Sequence, residues 1–354
     1  MSKQETAFIK GVGMLLILFH NYAHFIQPWG GENEFTFSSN NAAEFLYLIR
    51  QNPADITRLL FAFWGHYGVQ LFVFVSGYGL FLSYKERTTK WLSFLKKHII
   101  KLLPTLFLAI CLLFTLSSII HQKLPNSYDL KYAVLDLLFI QNFFPSLVYE
   151  LSGPWWFFSL IVQLYAVFPF ILAAFKRHGV KAIIATGICS WIITVSLNPF
   201  LSTWHYNLNY LFISRLPIFC LGMLFAWATD FKLPNWIIPV SVVILIGGNL
   251  SKYIWPFTML AATILLLAAI RWTMSKIGRS KILTPFILWV GVNSLFIFAV
   301  HGFLRMPFVR TAEVVNNPLA TIALGIAFLF VSITAAIIIK KTENIIQTYV
   351  SKFI

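Results

Sequence analysis

The chain has 354 residues, 58% of them hydrophobic and 11% charged, with a mean hydropathy of +0.77. A soluble domain is about 45–50% apolar and about 25% charged, so too little polar surface is present to cover these side chains in water, and 36 Phe with 13 Tyr and 12 Trp exclude disorder. The formal net charge of +15, from 27 Lys and Arg against 12 acids, belongs with membrane headgroups and topology and calls for no nucleic acid.

The apolar runs are long and continuous, as in 103–120 and 318–339, whereas barrel strands alternate over roughly 10 residues. The predicted fold is therefore all-α: a polytopic helical bundle, one integral membrane domain over residues 1–354. Ten spans are predicted, at 8–28, 64–84, 98–121, 154–175, 180–198, 206–228, 235–250, 253–272, 285–305 and 318–340. The stretch 131–145 is apolar but carries Asp136, Gln141 and Asn142, and reads as a re-entrant or interfacial helix. The first span contains His20, Asn21 and His24 and is followed by no small-x-small cleavage site, so it is not read as a signal peptide. With the N-terminus inside, 19 of the 27 Lys and Arg fall on inner segments, which predicts both termini cytoplasmic and the longer loops 29–63 and 122–153 outside. Cys111, Cys189 and Cys220 lie in apolar runs without paired spacing and read as packing residues, and no metal site is expected. No acid falls in the middle of a span, which weighs against a proton- or cation-coupled transporter.

Along the first span, Lys10, Gly13, Ile17, His20 and His24 fall within an arc of roughly 80° on one helix face. His20 lies about 15 Å beyond Lys10 along the axis, where a buried imidazole stays neutral and can accept a proton. In the second span Gly65, Gly68, Gly77 and Gly79 with Ser76 let helices approach closely. Lys97 and Lys101 stand at i,i+4 near the start of the third span, where two ammonium groups and free N–H donors suit phosphate as well as they suit positive-inside anchoring. Trp155 and Trp156 open the fourth span, with Gln163 and Tyr165 deeper.

In order, the chain carries Lys10…His20, Gly65-His-Tyr-Gly-Val…Val75-Ser-Gly, Lys97-x-x-x-Lys101-x-x-Pro104, Trp156…Tyr165-x-x-x-Pro169, Arg215-x-x-x-Phe219-x-x-Gly222 and Ser294…His301. This series resembles the membrane acyltransferase family 3 proteins, which O-acylate cell-surface glycans, and is most similar to their exopolysaccharide and common-antigen O-acetylase branch. Lysines stand here where the family usually has paired arginines, and a lysine meets phosphate as a point charge without the bidentate fork.

The resemblance implies an O-acyltransferase, most simply an O-acetyltransferase, of the plasma (inner) membrane. Its donor would be cytoplasmic acyl-CoA, with acetyl-CoA as cosubstrate, and its acceptor a hydroxyl of a surface polysaccharide or lipid-linked glycan. His20 would be the general base or a transient acyl carrier. Lys10, Lys97, Lys101 and Arg215 would serve the acyl-CoA, while Trp156, Tyr165 and His301 would line the acceptor side. Membrane lipids are the other expected partners, and a homo-oligomer is compatible with this reading. Two alternatives stay open: a transporter or flippase of acyl groups or glycolipids, and a sensor or scaffold on the same fold.

Overall fold

The computed structural model describes residues 1–87, 90–228, 234–277 and 280–350, apart from the side chains of His121, Ile277 and Val350. Asp230 and three basic residues used to orient the spans, Lys232, Arg279 and Lys352, lie outside the described residues. Every regular element among the described residues is helical.

The chain opens with α1 (Lys3–Ala23). Ser2 starts it as a capping box: its hydroxyl accepts from the Glu5 N–H at 3.0 Å, and the Glu5 carboxylate accepts from the Ser2 N–H. The loop that follows carries α2 (Ser39–Gln51) and leads into α3 (Ile56–Trp64), and a tight turn over Gly65–Tyr67 joins α3 to α4 (Gly68–Tyr84). The long α5 (Trp91–His121) is followed by the short α6 (Ser127–Leu137), then α7 (Trp156–His178) and α8 (Val180–Ser202). Two shorter apolar helices come next, α9 (Phe212–Trp227) and α10 (Ile237–Leu250), and then α11 (Thr258–Ile277). The chain ends with α12 (Leu283–Val292), α13 (Ser294–Leu304), α14 (Met306–Val315) and α15 (Pro318–Val350).

Among the described residues, seven helical segments are long and apolar enough to cross a bilayer, and α12 with α13 makes an eighth if that pair, bent by 84°, counts as one span. The expected sixth and seventh spans correspond to α9 and α10, which are apolar but short. The protein is thus a multi-pass membrane protein with about seven or eight candidate spans by length and composition. The expected ninth span is broken at Asn293, and the expected tenth runs on to Val350 as one helix. The 131–145 stretch is not one helix: α6 stops at Leu137 and single turns follow at Gln141–Phe143 and Pro145–Leu147.

α1 is central. It packs on α12, α4, α3 and α13, while α4 crosses α9 and α8 flanks α9. Around α1 lie an aromatic-rich core and two cavities, one beside its N-terminal half and one at its C-terminal end.

Candidate active site

His20 sits near the C-terminal end of α1 and is 4% exposed. Its Nδ1 lies 3.1 Å from the Ala62 carbonyl and 3.2 Å from that of Phe61, in the last turn of α3 where the helix breaks. A carbonyl only accepts, so Nδ1 carries the proton and Nε2 is left as the basic nitrogen. The break also makes room for the ring. A Cβ on Gly65 would stand 2.7 Å from His20 Cβ, so only a glycine lets the turn come this close.

The Nε2 of His20 faces two groups. His24, one turn on, donates from Nδ1 at 3.0 Å, and the Glu32 carboxylate lies 4.0 Å away. The His66 ring is 5.6 Å from the His20 ring, between centroids. These side chains line a cavity of about 460 Å³ whose wall includes Glu34, Trp156, Tyr149 and Arg305. Burial pushes the Glu34 carboxyl up to about 8 against the opposing pull of the Arg215 guanidinium, so at neutral pH it is largely protonated and able to donate. Arg305 donates to Asn21 Oδ1 at 3.4 Å and lies 3.9 Å from the Phe25 ring centroid. The ligating atoms of His20, His24 and Glu32 lie within 4.8 Å of one another, so these are the residues that would close on a metal ion; the His24–His20 hydrogen bond engages one nitrogen of each ring.

The second cavity, about 870 Å³, opens beside the N-terminal half of α1. Lys10, Lys97 and Lys101 all line it, with Arg87 and Tyr84. Lys97 donates to the Tyr84 hydroxyl at 3.3 Å and, like Lys101, is exposed. A wide basic pocket of this kind suits a polyphosphate-bearing ligand.

The predicted site residues are thus sorted into two groups. His20 and Trp156 share the smaller cavity, and the three lysines share the larger. Tyr165, expected with the acceptor, lines the lysine cavity instead, its ring 4.9 Å from that of His98. Nine residues separate it from Trp156 on one helix, about 13 Å along the axis, which carries it to the other cavity. Arg215, expected with the lysines, lies in the first turn of α9, fully buried behind the smaller cavity. Its guanidinium stands over Phe35 at 5.7 Å and Trp156 at 5.9 Å and donates to the Met259 sulfur, while Nε and Nη2 have no partner among the described residues. His301 is fully buried on α13, its Nδ1 2.9 Å from the Phe298 carbonyl, and it packs behind Phe298 without lining either cavity.

Trp156 owes its position to the polar residues of the 131–145 stretch. Gln141 donates to the Trp155 carbonyl at 3.1 Å, Asn142 donates to the Trp156 carbonyl at 2.9 Å and to that of Tyr210 at 2.7 Å, and Ser159 donates to Gln141. Glu32, Glu34 and Arg305 were not singled out from the sequence. The two acids lie in the loop between α1 and α2, whose folding back over His20 no hydropathy pattern reveals; their only signal was two carboxylates close behind a histidine-bearing span.

A buried imidazole held in one tautomer at an acid-bearing pocket, with a basic pocket further along α1, lies within a helical membrane bundle and has the geometry for proton transfer. A family model described as an acyltransferase domain matches residues 7–341, and the chain belongs to that family, the membrane acyltransferase family 3. No curated protein and no solved structure matches it.

Proposed function

We propose that the protein moves an acetyl group from cytoplasmic acetyl-CoA to a hydroxyl of a cell-surface polysaccharide or lipid-linked glycan. The fine topology belongs to the same proposal: ten spans in the plasma membrane, α9 and α10 included, with both termini cytoplasmic. The observation that carries the reading is the His20 imidazole, proton on Nδ1 against the Ala62 and Phe61 carbonyls and lone pair on Nε2 toward the smaller cavity.

The acceptor hydroxyl takes the place of His24 at Nε2 of His20. As its oxygen attacks the thioester carbonyl, Nε2 takes the hydroxyl proton. The C–O bond forms, the C–S bond breaks, and the proton passes to the leaving CoA thiolate. The two carbonyls at Nδ1 hold the ring in one tautomer and stabilise the imidazolium, the service a carboxylate gives in a catalytic triad. The protonated Glu34 and the Arg305 guanidinium supply donors for the developing oxyanion. Trp156 and Tyr149 offer aromatic faces to the sugar ring, and the lysine cavity receives the CoA phosphates.

Proteoliposomes given acetyl-radiolabelled CoA and a hydroxyl-bearing surface glycan test this reading. Wild-type protein should place ester-linked label on the glycan. His20→Gln keeps size and an N–H toward Ala62 but not basicity, and should lower the rate by about 10²–10⁴ with unchanged folding. A His20→Gln protein at wild-type rate would assign the ring to packing, and label that crosses the bilayer without ester formation would make the protein a transporter.

A further inference from the structure

Three side chains at the C-terminal end of α1 bring ligand atoms together. Nε2 of His20 and Nδ1 of His24 are 3.0 Å apart, Oε1 of Glu32 is 4.0 Å from Nε2 of His20, and all three atoms lie within 4.8 Å of one another. With Zn–N bonds of about 2.0–2.1 Å, the ligands of a tetrahedral zinc stand about 3.3 Å apart, so each pair has to adjust by about 1.5 Å or less. Two histidines at i,i+4 on one helix face are a zinc-binding spacing, and two imidazoles with one carboxylate are a ligand set that leaves the fourth position open.

The groups behind these ligands are also those of a metal site. A ligating imidazole hands its other N–H to a carbonyl or carboxylate, which fixes the ring, and a ligating carboxylate is itself hydrogen-bonded. His20 meets the first condition through the Ala62 and Phe61 carbonyls at Nδ1. Glu32 meets the second: its Oε2 accepts from the Trp29 indole at 3.1 Å, while Oε1 is the oxygen beside His20. The three residues line the cavity of about 460 Å³, which has room for water at the fourth position. The Arg305 guanidinium in the same lining opposes a cation, and the Glu32 carboxylate offsets it.

We propose that His20, His24 and Glu32 bind a divalent transition metal of the zinc class, and that the metal switches the transferase off. The second half rests on the acyl-transfer reading above. Without metal, Nδ1 of His24 donates its proton into the bond with Nε2 of His20. The metal takes the place of that proton, which moves to Nε2 of His24, so both rings stay neutral and the pair neither gains nor loses a proton. The lone pair that accepts the acceptor's hydroxyl proton then holds the metal, and ion and acceptor exclude one another. Nitrogen ligands favour Zn²⁺ over Mg²⁺ or Ca²⁺, which take oxygen.

Protein purified without a histidine tag and stripped with EDTA is titrated with Zn²⁺ in detergent by calorimetry, and acetyl transfer is read at the same free metal. The wild type should bind one Zn²⁺ at these residues, melt higher and lose transfer, and EDTA should restore it; Mg²⁺ should do none of this. Glu32→Gln and His24→Ala should each weaken Zn²⁺ binding by about tenfold or more, and Trp29→Phe, which removes the indole N–H behind Glu32, by about 10–100-fold. A thermal scan reports which variants are folded, and Glu32→Gln with Trp29→Phe carries the test if His24→Ala does not fold. No Zn²⁺ bound by the wild type, or undiminished binding in the folded variants, would overturn the site. Binding at these residues with transfer unchanged or raised would overturn the switch. Metal-free protein that makes no ester yet binds Zn²⁺ through these residues would overturn acyl transfer and leave the metal site standing.

Discussion

Lys340, on the final helix, donates a 2.8 Å hydrogen bond to Oδ1 of Asn293, the residue at which α12 and α13 part at 84°. The Asn293 amide donates to the Trp289 carbonyl, also at 2.8 Å, so one side chain ties the end of α12 to α15 at the bend. The bend aims α13, which carries Ser294 and Leu295 to the lysine cavity, Phe298 to the lining of both cavities and, just past its end, Arg305 to the His20 cavity. A basic residue that sequence reading assigned to orientation alone also locks a broken span.

Removing that lock should loosen the bundle. Hydrogen bonds to charged groups contribute about 1.5–3 kcal/mol, and this half-buried one belongs at or below the lower end. Lys340→Met should therefore lower the melting temperature in detergent by roughly 1–3 °C. Asn293→Ala, which also abandons the Trp289 carbonyl, should cost more. Equal melting of all three proteins would show that the bend is held by packing alone.

The crossing of α4 and α9 gives a contrast between two nearby glycines. A Cβ on Gly77 would fall on the Phe219 carbonyl, and one on Gly222 would fall on that of Phe74. Gly79, two residues away, has nothing within 4 Å of its Cβ position. Gly77→Ala should force the helices apart and destabilise by about 1–3 kcal/mol, whereas Gly79→Ala should be neutral or slightly stabilising. Thermal scanning of the two purified variants checks the difference, and similar melting would mean that α9 shifts freely.

Lys97 and Lys101 are exposed at the mouth of the larger cavity, where the donor phosphates are assigned. Replacing both by Ala should raise the donor KM by about tenfold or more and leave the acceptor KM within about twofold. Steady-state kinetics with each substrate varied in turn reads this. An unchanged donor KM would leave the two lysines a topological role only.

The Glu34 carboxyl supplies a pH signature. Burial holds it at about 8 in the fold, above the 4.5 of an ordinary glutamate. Between those values the folded protein keeps a proton that the unfolded chain has lost, so stability is highest at the acid end and falls as pH rises from about 4.5 to 8. Melting curves from pH 5 to 9 should show this fall in the wild type and a flatter profile in Glu34→Gln. The same slope in both would assign the dependence to another group.

What the sequence made legible follows from its periodicities. Continuous apolar runs marked the helices, and the 3.6-residue repeat put Lys10 and His20 on one face of α1 and Lys97 beside Lys101 on α5. The relation between helices was not legible. Arg215 joins Trp156 because of how α9 crosses its neighbours, and no one-dimensional pattern encodes a crossing. The break at Asn293 was hidden because its flanks are uniformly apolar. Glu32 and Glu34 were invisible as site residues because a loop's return path depends on bonds to distant segments.

Those bonds give the loop a wider meaning. The Phe35 carbonyl accepts from both Asn207 and Asn209, at 2.9 and 2.8 Å, and the Asn33 carbonyl accepts from the Trp255 indole at 2.8 Å. The acid-bearing segment is thereby stitched to two turns more than 170 positions away in the chain. Grafting 29–38 alone onto a relative would deliver its side chains without the scaffolding that aims them. The loop, the Asn207–Asn209 turn and the turn at Trp255 are three co-travelling segments, and a chimera that moves them together is the smallest transplant that keeps the loop's geometry.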